Sequence, residues 1–251
     1  YPELAQEVDD FLRKRYEPYR DGRIAINIHT IDNGKEAQNQ SNLLGDGRTI
    51  PCKILRGWGI PDREAIRIET LVRKSLLHVS PKEYNYCVLR YYNLLKVMLD
   101  FAGRKHMQSL LYLGSKAADG NEYDNEPTGR YKLDKWMIHR LVCAVNHLLN
   151  LSGGEKIDIA YVSAKDFDTT MDNIRLRLSD INTDGTAKVP ERLVIISTYA
   201  SVGVGQNMQY SAPSAYLQHL VRLIPRGEEK SDTYRDKDID GIYLGDITHL
   251  V

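Results

Sequence analysis

The sequence predicts an α/β fold: a parallel sheet with flanking helices, preceded by a mostly helical extension. Two observations carry this expectation. From residue 107 onward, short apolar runs alternate with amphipathic stretches in the order strand, helix, strand, helix, strand. That order is the signature of a parallel sheet built by right-handed crossovers. Before residue 105 the apolar residues recur mainly at helical spacing. The chain of 251 residues therefore divides into an extension, 1–104, and a sheet-bearing lobe, 105–251.

Within the extension, Leu4, Val8, Phe11 and Leu12 recur as on one helical face. Ile24, Ile26 and Ile28 alternate with Ala25, Asn27 and His29, a pattern for a half-buried strand. His29 has no second candidate ligand at metal spacing and reads as a surface histidine. Residues 33–49 are rich in Asn, Gln, Gly and Asp and read as a loop. Pro61 opens a helix, with Asp62 and Glu64 in the first turn complementing its dipole. Ser80, Pro81 and Glu83 form a capping box for the next helix. Its apolar stripe is Tyr84, Cys87, Val88, Tyr91, Leu95 and Met98, and Gly103 ends it. Tyr84 and Tyr91 lie on that stripe, so packing explains the tyrosines better than base stacking does.

In the lobe, strands are expected near residues 107–113, 157–162, 193–197 and 239–244, the first three mutually parallel. A polar loop from Ala117 to Arg130 lacks the closing Glu of a calcium loop. Leu133, Trp136, Met137, Leu141, Ala144, Val145 and Leu148 make an amphipathic helix that stops near Ser152-Gly153-Gly154. Ser163 is read as the cap of a shorter helix carrying Phe167, Met171, Ile174 and Leu178. A further helix is expected from about Ala212 to Ile224, then a charged loop from Arg226 to Asp238.

Lys plus Arg and Asp plus Glu each total 34, so no basic field marks the chain as a self-sufficient nucleic-acid binder. No apolar run approaches the ~20 residues of a membrane span, and no secretory signal is visible. Cys52, Cys87 and Cys143 are far apart and odd in number, which argues against a disulfide framework or a zinc site and for a cytoplasmic protein. Cys87 and Cys143 are expected as buried thiols on apolar helical faces.

The most informative segment is Thr198 to Gln209. It follows Leu193-Val194-Ile195-Ile196, a run suited to a strand buried on both faces. Two hydroxyls, Ser197 and Thr198, stand at the strand's end, and then come Gly203, Gly205, Gln206 and Asn207. A backbone without Cβ atoms can approach a phosphate closely and offer it amide donors. Open α/β sheets bind their ligands at this end of the strands. The same turn could equally be a tight strand-to-helix connection that binds nothing.

The order of residues resembles the fifth conserved motif of superfamily 2 helicases and translocases: a strand, a Thr, then Gly-x-Gly-x-Asn-Leu. Thr198, Gly203, Gly205 and Asn207 match, and Met208 takes the Leu place. Thr198 stands one residue farther from the glycines than in the common pattern. The resemblance implies that residues 105–251 form a second RecA-like lobe, working against a first lobe of the same polypeptide on DNA or RNA. It implies that Ser197 and Thr198 hold a backbone phosphate while Gly203, Gly205, Gln206 and Asn207 sense nucleotide across the interlobe cleft. Ser115 and Lys116, at the end of the lobe's first strand, occupy the place of the family's fourth motif and would also face the nucleic acid.

Gln218, Arg222 and Arg226 partly match the family's arginine motif, with Val221 in the glycine place and Arg226 one position late. The same residues read better as the solvated face of a helix that buries Leu217, Leu220, Val221 and Ile224, and the motif itself is expected beyond Val251. The chain contains no Gly-x-x-x-x-Gly-Lys-Ser/Thr and no Asp-Glu pair after an apolar strand. Those parts grip ATP phosphates and Mg²⁺. ATP and Mg²⁺ are therefore expected in the full-length parent rather than held by this stretch. Two rivals stand beside this reading. One is a non-catalytic RecA-like or Rossmann-like interaction module. The other is a small Rossmann enzyme, which would want its glycine turn after the first strand.

Overall fold

The computed structural model describes residues 2–21, 52–77, 84–115, 117–120, 132–202, 208–219 and 235–245. Helices α1 (Pro2–Arg15), α2 (Glu17–Arg20), α3 (Cys52–Gly57), α4 (Asp62–Ser75) and α5 (Tyr84–Gly103) precede the sheet. Then come β1 (Ser109–Gly114), the short β2 (Ala118–Asp119) and β3 (Leu133–Asp134), and α6 (Lys135–Leu148). A 3-10 turn (Gly153–Glu155) leads into β4 (Ile157–Tyr161), α7 (Phe167–Leu178) and β5 (Arg192–Thr198). The last described elements are β6 (Tyr210–Ser211), a 3-10 helix (Ser214–His219), β7 (Asp236–Lys237) and β8 (Gly241–Leu244).

The central sheet has the order β4-β5-β1-β8, and every neighbouring pair is parallel. Ser109 pairs with Leu193 and Gly114 with Thr198, so β1 and β5 end together. Side chains alternate between the faces of a strand. Leu110, Tyr112, Ile157, Ile159, Val194 and Ile196 accordingly enter one core, with the apolar stripes of α4, α5 and α6. Leu111, Leu113, Ala160, Leu193 and Ile195 enter a second, with Met171, Ile174 and Leu178 of α7. Helices thus cover both faces, which is why the strands read as continuous apolar runs. The fold is α/β, a RecA-like parallel sheet with flanking helices behind a mostly helical stretch.

Several local expectations change. β1 begins at Ser109, two residues later than expected: Gln108 stands just before it, its side-chain amide donating to the Leu178 carbonyl at 2.6 Å. β8 begins at Gly241, not Ile239, whose side chain packs on the second core. Ser163 does not cap α7. The helix starts at Phe167, and the Ser163 hydroxyl donates to Asp166 at 3.5 Å. Pro61 is the residue before α4, with Asp62 and Glu64 in the first turn as expected. The stretch expected as a helix from Ala212 is a 3-10 helix over Ser214–His219, and β7 interrupts the expected charged loop. The strand around Ile24–Ile28, the capping box Ser80–Glu83 and most of the loop 117–130 lie outside the described residues.

α5 shows how the extension meets the sheet. Tyr91 is buried, as its place on the stripe requires. Its hydroxyl accepts from the Asp134 amide at 2.8 Å and lies 3.3 Å from the Ser75 hydroxyl. The Asp134 carboxylate caps α6, accepting from the amides of Trp136 and Met137. Burial raises the pKa of Asp134 above the ordinary carboxylate value, although these amides oppose the shift. Among the described residues, no helix is long and apolar enough to cross a membrane.

Candidate functional site

The chain leaves β1 and β5, which are neighbours, on opposite faces. From β1 it runs to β4 through α6 on the first core. From β5 it runs to β8 past Val202, Met208 and Tyr210 on the second. The carboxyl ends of β1 and β5 therefore flank a topological switch point, the place where open α/β sheets form a ligand crevice.

Thr198 is the last residue of β5, and its side chain is only 7% exposed. Its hydroxyl donates to the Ser201 hydroxyl at 2.8 Å and accepts from the Ser201 amide at 3.1 Å. Its carbonyl also takes the amides of Ser201 and Val202, at 3.0 and 3.1 Å. Thr198 thus closes the turn that follows it, as hydroxyl residues do at chain reversals. The Ser197 hydroxyl, buried, donates to the Val162 carbonyl at 2.9 Å and ties β5 to the end of β4. In this arrangement neither hydroxyl opens directly to solvent.

Ser115 stands half-buried at the end of β1, beside Gly114. Lys116, Gly203, Gly205, Gln206, Asn207, Arg222 and Arg226 lie outside the described residues, and Gln218 belongs to the 3-10 helix after β6. Val202 and Met208, which bracket the segment 203–207, both pack on the second core. Both ends of the glycine segment are therefore anchored at this side of the sheet.

Sequence reasoning missed Tyr199, Ser201 and Gly245 in this region. The Tyr199 hydroxyl donates to the Gly245 carbonyl at 2.8 Å, and its amide to the Gly114 carbonyl at 3.3 Å. A tyrosine directly after a strand's last hydroxyl carries no recognisable pattern, because its partner lies 46 positions away.

Other chemistry-bearing groups are committed elsewhere. A cleft of about 700 Å³ lies between α7 and the β6–β7 pair, lined by Asp172, Arg175, Gln209, Ser211 and Asp236 among others. Arg175 there donates to Asp172 at 2.8 Å and to the Gln209 carbonyl at 3.0 Å, and Ser211 donates to Asp236 at 3.0 Å. Its polar groups largely satisfy one another. No group of three or more His, Cys, Asp or Glu among the described residues is placed to hold a metal ion.

The three cysteines are free thiols. Cys87 is buried as expected, but Cys143 is exposed, because it lies on the outer face of α6 beside His139. Cys52 donates to the Glu69 carboxylate, and burial, followed by that bond, pushes its pKa up to about 11. Alkylation at mildly alkaline pH is therefore expected at Cys143 first and at Cys52 far more slowly, since the thiolate is the nucleophile. Cys87 should react only on unfolding. Peptide mass mapping over time checks the order, and early modification of Cys52 would contradict it.

The fold and this edge together define an α/β protein with a RecA-like parallel sheet whose switch point lies between the ends of β1 and β5. No protein-family model matches the chain, and no curated protein matches it.

Proposed function

We propose that this chain supplies the second RecA-like lobe of an ATP-dependent helicase or translocase of superfamily 2, acting on DNA or RNA in the cytoplasm. One observation supports this above the others. The segment with the family's Thr…Gly-x-Gly-x-Asn order leaves the carboxyl end of β5, beside β1, at the switch point.

In this reading Thr198 and Ser197 act chiefly through the backbone. The Thr198 hydroxyl fixes the turn and the Ser197 hydroxyl ties β5 to the end of β4, and the stretch 203–207 that follows meets a phosphate. Gly203, Gly205, Gln206 and Asn207 sense the nucleotide state of the first lobe, and Ser115 and Lys116 lie along the same strand of nucleic acid. Gln218, Arg222 and Arg226 would be a remnant of the arginine motif. The chain's own residues do not fit ATP and Mg²⁺, because it carries neither the phosphate loop nor the metal-holding acids. Those groups belong to the parent's first lobe.

The test is fluorescence anisotropy with labelled oligothymidylate and oligouridylate at low salt. Weak binding that falls steeply with added salt is expected, as for any phosphate-directed contact. Thr198→Ala should weaken it about fivefold, the loss of roughly 1 kcal/mol of turn order. The balanced charge of the chain favours the rival reading of an interaction module. No binding to either oligonucleotide, or binding indifferent to Thr198→Ala and to Gly205→Val, would decide for that rival.

A further inference from the structure

We propose that Tyr199 is a positioning residue that transmits the state of the turn after β5, Thr198 to Val202, across the sheet to the end of β8. This rests on the reading of the turn as a nucleic-acid contact, and it adds a route by which that contact is felt elsewhere.

Three hydrogen bonds make the route. The Tyr199 amide donates to the Gly114 carbonyl at 3.3 Å, and its hydroxyl donates to the Gly245 carbonyl at 2.8 Å. The Gly245 amide in turn donates to the Leu113 carbonyl at 2.9 Å. β1 lies between β5 and β8, so one side chain reaches over the central strand and joins the ends of three strands.

Two features make the linkage stiff. The ring of Tyr199 packs against the second core, so its hydroxyl is held in place rather than on a free arm. At Gly245 a Cβ would stand 2.8 Å from the Leu113 carbonyl oxygen, a distance that side-chain-bearing residues do not tolerate. Glycine is what lets the end of β8 come this close. Tyr199 is also the first residue of the turn that Thr198 closes, within the reach of any ligand gripping that backbone. A ligand that fixes the turn fixes the ring, and the ring fixes Gly245.

Hydrogen–deuterium exchange on the full chain tests this, with oligothymidylate as the probe at low salt. At roughly ten times its Kd, the ligand is expected to slow exchange about tenfold in residues 199–202 and also in 241–245. Tyr199→Phe keeps the ring and its packing but removes the hydroxyl. It should retain protection at 199–202 and lose the ligand-induced part at 241–245. Gly245→Ala sets a Cβ against the Leu113 carbonyl, pushes the end of β8 away from β1 and from the Tyr199 hydroxyl, and should give the same split. Ligand-induced protection at 241–245 that survives in both variants overturns the proposal. If the oligonucleotide changes exchange nowhere in the unaltered chain, the nucleic-acid reading has failed and this proposal falls with it. Protection confined to 199–202 in the unaltered chain overturns the transmission alone.

Discussion

Replacing Arg192 with Met is expected to destabilise the chain by about 3 kcal/mol or more, without touching the candidate site. Arg192 opens β5, at the opposite edge of the sheet from Thr198. Its guanidinium donates to the carbonyls of Met107 and Glu155 at 3.0 Å, Phe101 at 2.8 Å, Arg104 at 3.0 Å and Ala102 at 3.5 Å. Phe101 and Ala102 belong to the last turn of α5, where carbonyls lack partners within the helix and the dipole favours a cation. Burial lowers the pKa of Arg192, but the group has no means of staying neutral and is held instead by this ring of carbonyls. Met fills similar space and strands the acceptors, each of which costs about 1–3 kcal/mol when left dry. For a chain of this size, a loss of 3 kcal/mol should lower Tm by roughly 6–12 °C. A shift below about 2 °C in a thermal melt would mean that water replaces the guanidinium.

Asp240→Ala is expected to have the second largest effect. One carboxylate oxygen accepts from the amides of Gln108 and Ser109 at 2.8 and 3.0 Å, from the Ser109 hydroxyl at 3.1 Å and from the Tyr210 hydroxyl at 3.4 Å. The other accepts from Lys237 at 2.6 Å. Removing the carboxylate leaves those two amides without an acceptor at the start of β1 and loosens the residue just before β8. A loss of about 2–4 kcal/mol follows, by the cost of unmade bonds to a charged group. The pKa of Tyr210 is raised by burial first and by Asp240 second, so the phenol stays neutral in the folded state. An unchanged Tm in a thermal melt would remove Asp240 from this role.

These two residues show where the sequence stops being legible. β4 and β5 could be read because β-branched runs of the right length, with turn residues on either side, have few alternatives. α5 could be read because its stripe repeats at helical spacing along its length. Arg192 could not, since its partners are backbone carbonyls that any residue supplies, as far as 91 positions away. Cys143 differs from the expectation because it stands outside the stripe Met137, Leu141, Ala144 and Val145 that α6 buries, and an apolar neighbourhood in the chain does not put a thiol on that stripe. At the candidate site the strand, its two hydroxyls and the glycine segment were visible as a pattern. The inward direction of the hydroxyls was not, because Ser201 and Val162 become their partners only once the turn and the sheet exist.

The strand order has a consequence for how the chain assembles. β1 is made before either of its neighbours, yet it ends at the centre of the sheet. Asp240, which fastens its first residues, arrives 132 positions after Gln108. Closing so long a loop adds little to the entropic cost, but contacts of this separation form slowly. During that interval an apolar strand would present two open edges, the usual template for aggregation. α5 precedes β1 in the chain and shares a core with Leu110 and Tyr112. The helical stretch can therefore shelter one face of β1 from the moment it is synthesised, an internal chaperone for a strand whose partners come last.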